Sequence, residues 1–216
     1  MQAVLFDMDG VLVDSEDYWV RFEREEILPA AVPHADVDLA EISGMNYREI
    51  YDYLEDEYGT EITREEFVDR FVATAEEIYG ERVTLLDGLG NLLAELEDRG
   101  ASTALVSSSP HDWIGVVLER FGLEGEFDRV ISADDIDAAS KPAPDVFEFA
   151  ADELGVAAAD CVVVEDSENG IAAGARAGAS VVAYRIDAHG DIDRSPADAV
   201  VDSPAALRAS VLERIE

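Results

Sequence analysis

The fold is decided by residues 3–15, which read AVLFDMDGVLVDS. The first four residues are apolar and typical of a buried strand, and two acids follow before the chain turns at Gly10. Because side chains alternate along an extended chain, Asp7 and Asp9 reach the same crevice at the end of this strand. Open parallel sheets bind ligands in that crevice, so the pair indicates half of a metal or phosphoryl-transfer site. A polar turn after a core strand accounts for the pair equally well.

The composition is strongly acidic. The 216 residues include 50 acids against 15 lysines and arginines, which gives a formal net charge of -35, and Lys141 is the only lysine. The acids are spread through amphipathic segments, so they predict an acidic surface and not a disordered tail. We interpret this surface as an adaptation to a high-salt cytoplasm, typical of a halophilic source, where screening relieves the repulsion. Nucleic acid and anionic membranes are poor partners for such a protein.

Neither secretion nor membrane insertion is indicated. Cys161 is the only cysteine and lies in an apolar run, which predicts a small core residue in a reducing cytosol. No stretch approaches the ~20 apolar residues of a membrane span. Acids also begin before any signal-peptide pattern. We therefore expect a cytoplasmic protein that is a monomer or a small homo-oligomer.

The spacing of apolar residues predicts two domains. Residues 15–83 have helical spacing without strand alternation, and Thr63 with Glu66 has the form of a capping box. Further along, predicted helices and strands alternate, as in a parallel sheet with helices on both faces. We predict an α/β fold with a doubly wound core domain (1–14 and 84–216) and a small all-helical cap domain (15–83). The predicted strands are 3–6, 103–106, 129–132, 161–164, 180–184 and, last and shortest, 199–201.

Polar side chains also follow later strands. Ser107, Ser108 and Ser109 precede a predicted helix whose N–H groups could bind phosphoryl oxygens, although ordinary N-capping explains them as well. Glu165 and Asp166 add a second acidic pair at a strand end. Four carboxylates at one crevice suit Mg²⁺, which binds hard oxygen ligands together with water and phosphate.

Lys141 is followed by Pro142, Ala143 and Pro144. The prolines restrict the backbone before a predicted helix and can hold the lysine in a fixed place. In a chain with no other lysine, this pattern favours a role that needs a compact point charge.

Four segments resemble the motifs of the haloacid dehalogenase superfamily. They are DMDGVLVDS at 7–15, Ser107 after its strand, SKPAPD at 140–145 and VVVEDSENGI at 162–171. The resemblance covers essentially the whole chain, including the helical insertion, which is similar to that superfamily's cap domain on a Rossmann-like core. The EDS form of the last motif is similar to that of the sugar-phosphate phosphatases and β-phosphoglucomutase-like members.

The resemblance implies phosphoryl transfer through an aspartyl-phosphate. Asp7 would attack phosphorus, and Asp9 would protonate the leaving oxygen and then activate water. Ser107, Ser108 and Lys141 would bind phosphoryl oxygens, which is a positioning and electrostatic task.

The implied cofactor is Mg²⁺. The resemblance gives its ligands as Asp7, the backbone carbonyl of Asp9, and Asp166, with Glu165 either a direct ligand or one shell further out. The substrate would be recognised in the cap around residues 44–48. Arg48 could reach a distal substrate group there, although a solvated helix arginine explains it too.

Departures from the family pattern favour a phosphatase. Dehalogenases of this superfamily typically lack the second aspartate, present here as Asp9, and its phosphonate-cleaving members need a cap lysine, which is absent. The mutases have a histidine where this chain has Trp19. We therefore predict hydrolysis of a small phosphorylated metabolite, of the sugar phosphate or phosphoglycolate type, with a phosphosugar mutase as the alternative. A non-enzymatic phospholigand sensor would have lost Asp7 or Asp9, and both are retained.

The net charge of -35 predicts that salt stabilises the protein. Thermal melting temperatures should rise steeply from dilute buffer to molar KCl, because the Debye length falls to about 3 Å at 1 M salt and carboxylate repulsion is screened. Melting temperatures that do not change with salt would contradict this interpretation of the acidic surface.

Overall fold

The described residues form one central sheet of parallel strands. The computed structural model describes residues 2–42 and 45–215, apart from the side chain of Ala40. The strands are β1 (Ala3–Phe6), β2 (Ser102–Ser107), β3 (Arg129–Ser132), β4 (Cys161–Glu165), β5 (Ser180–Tyr184) and β6 (Ala199–Val201). Their spatial order is β3-β2-β1-β4-β5-β6, and all neighbours run parallel. The α/β fold with a doubly wound parallel sheet is therefore confirmed.

Strand β1 lies between β2 and β4. Ala3 is level with Ser102 on β2 and with Cys161 on β4. Its side chains alternate between two apolar layers, because Val4 and Phe6 belong to the layer shared with the cap helices and Ala3 to the layer on the other face. A strand that is covered on both faces needs no polar positions, which explains the unbroken apolar run.

Helices form most of the segment from the end of β1 to residue 82. They are α1 (Glu16–Phe22), α2 (Leu28–Ala31), α3 (Tyr47–Glu57) and α4 (Arg64–Glu77), with π-helical turns at Glu23–Ile27 and Ile78–Arg82. The predicted capping box of α4 is present, since Thr63 and Glu66 bond to each other's backbone N–H. The exact limits of the cap, 15–83, remain a prediction.

The remaining helices cover the two faces of the sheet. They are α5 (Leu89–Asp98), α6 (His111–Phe121), α7 (Asp145–Leu154), α8 (Glu168–Ala177) and α9 (Pro204–Arg214). Gly122, Gly155 and Gly178 end α6, α7 and α8 in the left-handed conformation, as their sequence positions predict. None of the described helices is long and apolar enough to cross a membrane.

Aromatic rings join the cap to the core. Trp113 on α6 stacks on Trp19 of α1, with 5.6 Å between ring centroids, and on Tyr47 of α3 at 4.9 Å. The Asn46 side chain also donates a hydrogen bond to the carbonyl of Ser108, at 3.1 Å. These contacts hold the cap above the carboxyl ends of the strands.

The first turn of α8 determines where the Glu165 carboxylate lies. Ser167 caps this helix, because its Oγ accepts the N–H of Gly170 at 3.0 Å. A Cβ at Gly170 would lie 1.8 Å from Glu165 Oε1, which no pair of nonbonded atoms can adopt. Glu165 is itself fixed, since its Oε2 accepts the N–H groups of Asp166 at 3.0 Å and Ser167 at 3.1 Å. A neighbouring carboxylate, and not a turn, therefore requires this glycine.

Gly170→Ala should destabilise the fold although alanine is the better helix former. Alanine gains roughly 1 kcal/mol over glycine in a helix. Moving Glu165 away from its donors costs more, roughly 1–3 kcal/mol for each buried group left unsatisfied. Urea unfolding at constant salt measures the difference.

Gly115→Ala in α6 is the matched control, since nothing lies within 4 Å of its Cβ position. This variant should be more stable than the parent by up to about 1 kcal/mol. A Gly170→Ala variant that is as stable as the parent would contradict the steric argument.

Candidate active site

A cavity of about 540 Å³ opens at the carboxyl ends of β1, β2 and β4. The residues that follow these strands line it, and so do cap residues such as Trp19 and Tyr47. Strand order reverses at β1, and the crevice at such a switch point is where open α/β sheets bind ligands. The cavity combines carboxylates with aromatic rings, as binding sites for small molecules commonly do.

Lys141 lies between two carboxylates at the end of β1 and β4. Its Nζ donates to Asp7 Oδ1 at 2.6 Å and to Glu165 Oε1 at 2.7 Å, and all three side chains are buried. Burial alone would lower the pKa of Lys141, but the charges of Asp7 and Glu165 outweigh it and raise the pKa, so the ammonium keeps its proton. These contacts hold the ammonium group in one place, and its role in the reaction remains a prediction.

Asp9 is held by hydroxyl groups. Ser15 and Tyr79 donate to its Oδ1 at 2.6 and 2.7 Å, and Ser109 donates to its Oδ2 at 3.0 Å. Burial raises the pKa of Asp9, and these hydrogen bonds oppose the shift.

Three carboxylates offer a cation oxygen ligands. One oxygen each from Asp7, Glu165 and Asp166 lies within 4.8 Å of the others. Burial and the neighbouring acids raise the pKa of Asp7, against the charge of Lys141, and burial with Glu165 raises the pKa of Asp166. A divalent cation would restore the ionised forms, and an all-oxygen donor set fits Mg²⁺.

Gly10 allows Asp166 to approach β1. It has φ +72°, in the left-handed region, and a Cβ there would lie 1.9 Å from Asp166 Oδ2. Both the turn after Asp9 and the position of the Asp166 carboxylate therefore require a glycine.

His189 is a member of the site that the sequence analysis missed. Its Nε2 lies 2.9 Å from Asp166 Oδ2 and 3.5 Å from Glu16 Oε2. His189 lies in the loop that follows β5, and its side chain is 6% exposed. No local pattern marks it, because its contacts are with residues distant in the chain.

The three serines after β2 have different surroundings. Ser108 and Ser109 line the cavity, whereas the buried Ser107 Oγ accepts the N–H of Ser109 at 3.0 Å. Ser109 donates to Asp9, a contact that the sequence does not predict. The phosphoryl-binding roles of Ser107 and Ser108 remain predictions.

Arg48 lies outside the cavity lining. Its Nη1 is 3.3 Å from Asp134 Oδ1 of the core, its guanidinium lies over the ring of Tyr47, and its side chain is 47% exposed. Arg48 therefore contacts a carboxylate of the core, and its contact with the substrate remains a prediction. Gly44, the first residue of the predicted recognition segment, lies outside the described residues, whereas Asn46 and Tyr47 line the cavity.

Several known proteins are similar to this chain over most of its length. Hexitol phosphatase B of Escherichia coli (strain K12) is 33% identical over 97% of this chain and 96% of its own. β-Phosphoglucomutase of Bacillus subtilis (strain 168) is 30% identical over 80% of this chain and 78% of its own. The crystal structure of CbbY from Rhodobacter sphaeroides is similar in fold, with a TM-score of 0.81, 23% identity and coverage of 100% and 99% of the two chains.

A family model described as haloacid dehalogenase-like hydrolase matches residues 4–184. This match covers β1 to β5 and includes the cap helices. The phosphatase among the relatives supports phosphoric monoester hydrolysis as the enzymatic class. The chain belongs to the haloacid dehalogenase-like hydrolase family, in the part that is related to hexitol phosphatase B and β-phosphoglucomutase.

Proposed function

We propose that this enzyme is a Mg²⁺-dependent phosphatase that hydrolyses a small phosphorylated metabolite, a sugar phosphate or a compound of the phosphoglycolate type, through an aspartyl-phosphate. The observation that carries the proposal is the pair of acids after β1, with the buried Asp7 2.6 Å from the ammonium of Lys141 and the half-buried Asp9 held by three hydroxyls. The two carboxyl groups have different partners, which suits one to nucleophilic attack and the other to proton transfer.

In the first half-reaction an Asp7 oxygen attacks phosphorus and the bond from phosphorus to the leaving oxygen breaks. Asp9 gives its proton to that oxygen, so the products are the free alcohol and the aspartyl-phosphate on Asp7. In the second half-reaction Asp9 takes a proton from water, whose oxygen attacks phosphorus. The bond to Asp7 breaks and releases inorganic phosphate, and both acids return to their initial forms.

Lys141 and the residues after β2 are the proposed phosphoryl contacts. The ammonium group of Lys141 can donate three hydrogen bonds. Among the described residues, Asp7 and Glu165 accept two of them, which leaves one for a phosphoryl oxygen. Ser107 and Ser108 complete the proposed set through hydroxyl or backbone N–H groups. Arg48 remains a weaker proposal, because its guanidinium contacts Asp134.

The proposed Mg²⁺ ligands are Asp7, the backbone carbonyl of Asp9, and Asp166. When bound, the metal neutralises charge on the phosphoryl group and on the attacking carboxylate. Both oxygens of the Glu165 carboxylate already accept hydrogen bonds. Oε1 accepts from Lys141, and Oε2 accepts from the backbone N–H groups of Asp166 and Ser167. We therefore assign Glu165 to holding Lys141 and the turn after β4, with Asp166 as the direct ligand.

Mutase activity is the second candidate, supported by the relation to β-phosphoglucomutase. Against it stands Trp19, at the position where the resembling mutases have a histidine. An indole N–H can donate a hydrogen bond but cannot take up a proton, so Trp19 cannot transfer protons as an imidazole can. The retained Asp7 and Asp9 argue against a sensor without activity.

The acidic composition supports the remaining proposals about partners and location. A net charge of -35 disfavours nucleic acid and anionic membranes, and it suits a salt-rich cytoplasm. We propose a cytoplasmic monomer or small homo-oligomer whose partner is its phosphorylated substrate.

Asp7→Asn should keep the fold and lose essentially all turnover, because an amide is neither a nucleophile here nor a good Mg²⁺ ligand. Phosphate release from sugar phosphates in molar salt with Mg²⁺ measures the loss, with circular dichroism as the check of folding. Asp17→Asn is the matched control, since Asp17 is exposed in the first turn of α1. Turnover by Asp7→Asn within about tenfold of the parent would refute the nucleophile.

Phosphatase and mutase give different products from β-glucose 1-phosphate. We expect inorganic phosphate as the main product, because Asp9 can activate water as soon as the leaving group departs. Phosphorus NMR with Mg²⁺ and a trace of the bisphosphate follows both reactions at once. Glucose 6-phosphate that accumulates faster than free phosphate would replace the phosphatase with the mutase.

A further inference from the structure

Tyr79 is a buried hydroxyl in the cap that touches the proposed acid and base. It lies in the π-helical turn Ile78–Arg82, is 1% exposed, and its Oη is 2.7 Å from Asp9 Oδ1. The sequence gives no sign of this contact, because Tyr79 there continues the apolar stripe of α4. A phenol placed against a carboxyl group in the middle of a hydrolytic site needs an explanation beyond packing.

The direction of each hydrogen bond follows from the chemistry of the donors. The indole N–H of Trp19 lies 3.1 Å from Tyr79 Oη, and an indole N–H can only donate. Tyr79 Oη therefore accepts from Trp19, and its own proton is directed to Asp9 Oδ1. The alternative acceptor, Ser109 Oγ, is more distant at 3.4 Å. Burial raises the pKa of Tyr79, which keeps that proton on the phenol.

The two Asp9 oxygens are thereby made different. Oδ1 accepts two hydrogen bonds, from Ser15 and Tyr79, which fills its lone pairs. Oδ2 accepts one, from Ser109, and keeps a lone pair for another partner. The oxygen that can hold and transfer a proton is therefore Oδ2.

The Tyr79 side chain is fixed from several directions. Arg120 of α6 donates to its backbone carbonyl at 2.7 Å, and its ring meets the edge of Trp19 with 5.9 Å between centroids. The Trp19 ring in turn stacks on the rings of Trp113 and Phe71, with 5.6 Å between ring centroids in each pair. A hydroxyl held this firmly can orient a neighbouring carboxyl group.

We propose that Tyr79, oriented by Trp19, is a positioning residue that fixes the Asp9 carboxyl group so that Oδ2 exchanges the proton with the leaving oxygen and with water. The inference rests on the proposed function, because it assigns a task within that reaction. Trp19 lies on the first cap helix and Tyr79 in the last cap turn. Both ends of the cap insertion therefore determine the orientation of the Asp9 carboxyl group.

The test uses the dependence of rate on the leaving group. Sorbitol 6-phosphate has a poor leaving group that needs the Asp9 proton, whereas the nitrophenolate of p-nitrophenyl phosphate leaves without one. Tyr79→Phe keeps the ring and removes the hydroxyl. It should lower kcat/KM for sorbitol 6-phosphate by about tenfold or more, through kcat and not KM, and lower kcat/KM for p-nitrophenyl phosphate by less than about threefold.

Two further variants complete the design. Trp19→Phe removes the N–H that orients Tyr79 together with part of the stacked ring system. It should show the same selective loss to a smaller extent, and it keeps the test valid if Tyr79→Phe folds poorly. Tyr51→Phe is the matched control, because its hydroxyl donates within the cap to the carbonyl of Ile62 and should affect neither substrate.

Equal losses on both substrates, or no loss in either Tyr79→Phe or Trp19→Phe, would overturn the inference and leave the phosphatase proposal intact. A parent enzyme that hydrolyses neither these two compounds nor other sugar phosphates nor phosphoglycolate would refute the proposed function and the inference together. An Asp9→Asn variant with full activity on sorbitol 6-phosphate would do the same.

Discussion

One buried ammonium group, shared by two carboxylates, is the interaction on which the site depends. Lys141 contacts Asp7 from β1 and Glu165 from β4, and Asp166 and Asp9 lie beside them. Without a cation, this many acids in one buried place would be neutral or would push the strand ends apart. Removing only one partner of a buried ion pair is costly, because the other charge is left without compensation. The lysine thus allows the acids to be collected before any substrate arrives.

The neighbouring glycines serve the same arrangement. Gly10 leaves room for Asp166, and Gly170 leaves room for Glu165, with clearances too small for any other residue. The positions of the acids are thereby set by backbone geometry and not by flexible side-chain rotamers. A site built on strand ends with such constraints can remain ordered within a protein of formal charge -35, since local contacts outweigh the distant, screened charges.

The sequence predicted the fold well because the signals were local. Apolar runs ending in Asp7, Ser107 and Glu165 identify buried strands, and the glycines at helix ends identify the α/β alternation. The same signals bring Asp7, Ser107 and Glu165 together, since parallel strands present their carboxyl ends at one edge. His189 and Tyr79 could not be predicted in this way. Each reaches the site from a segment whose pattern only describes a loop or an apolar helix face, and its partners lie far away in the chain.

The stacking of Trp113 on Trp19 and Tyr47 has a consequence for how the cap can be observed. These are the two tryptophans of the chain, and one lies on each side of the boundary between cap and core. A movement that separated the cap from the core at this contact would unstack the two indoles and bring water to them. The intrinsic tryptophan fluorescence of the unmodified protein should therefore report on movement of the cap, without an added label.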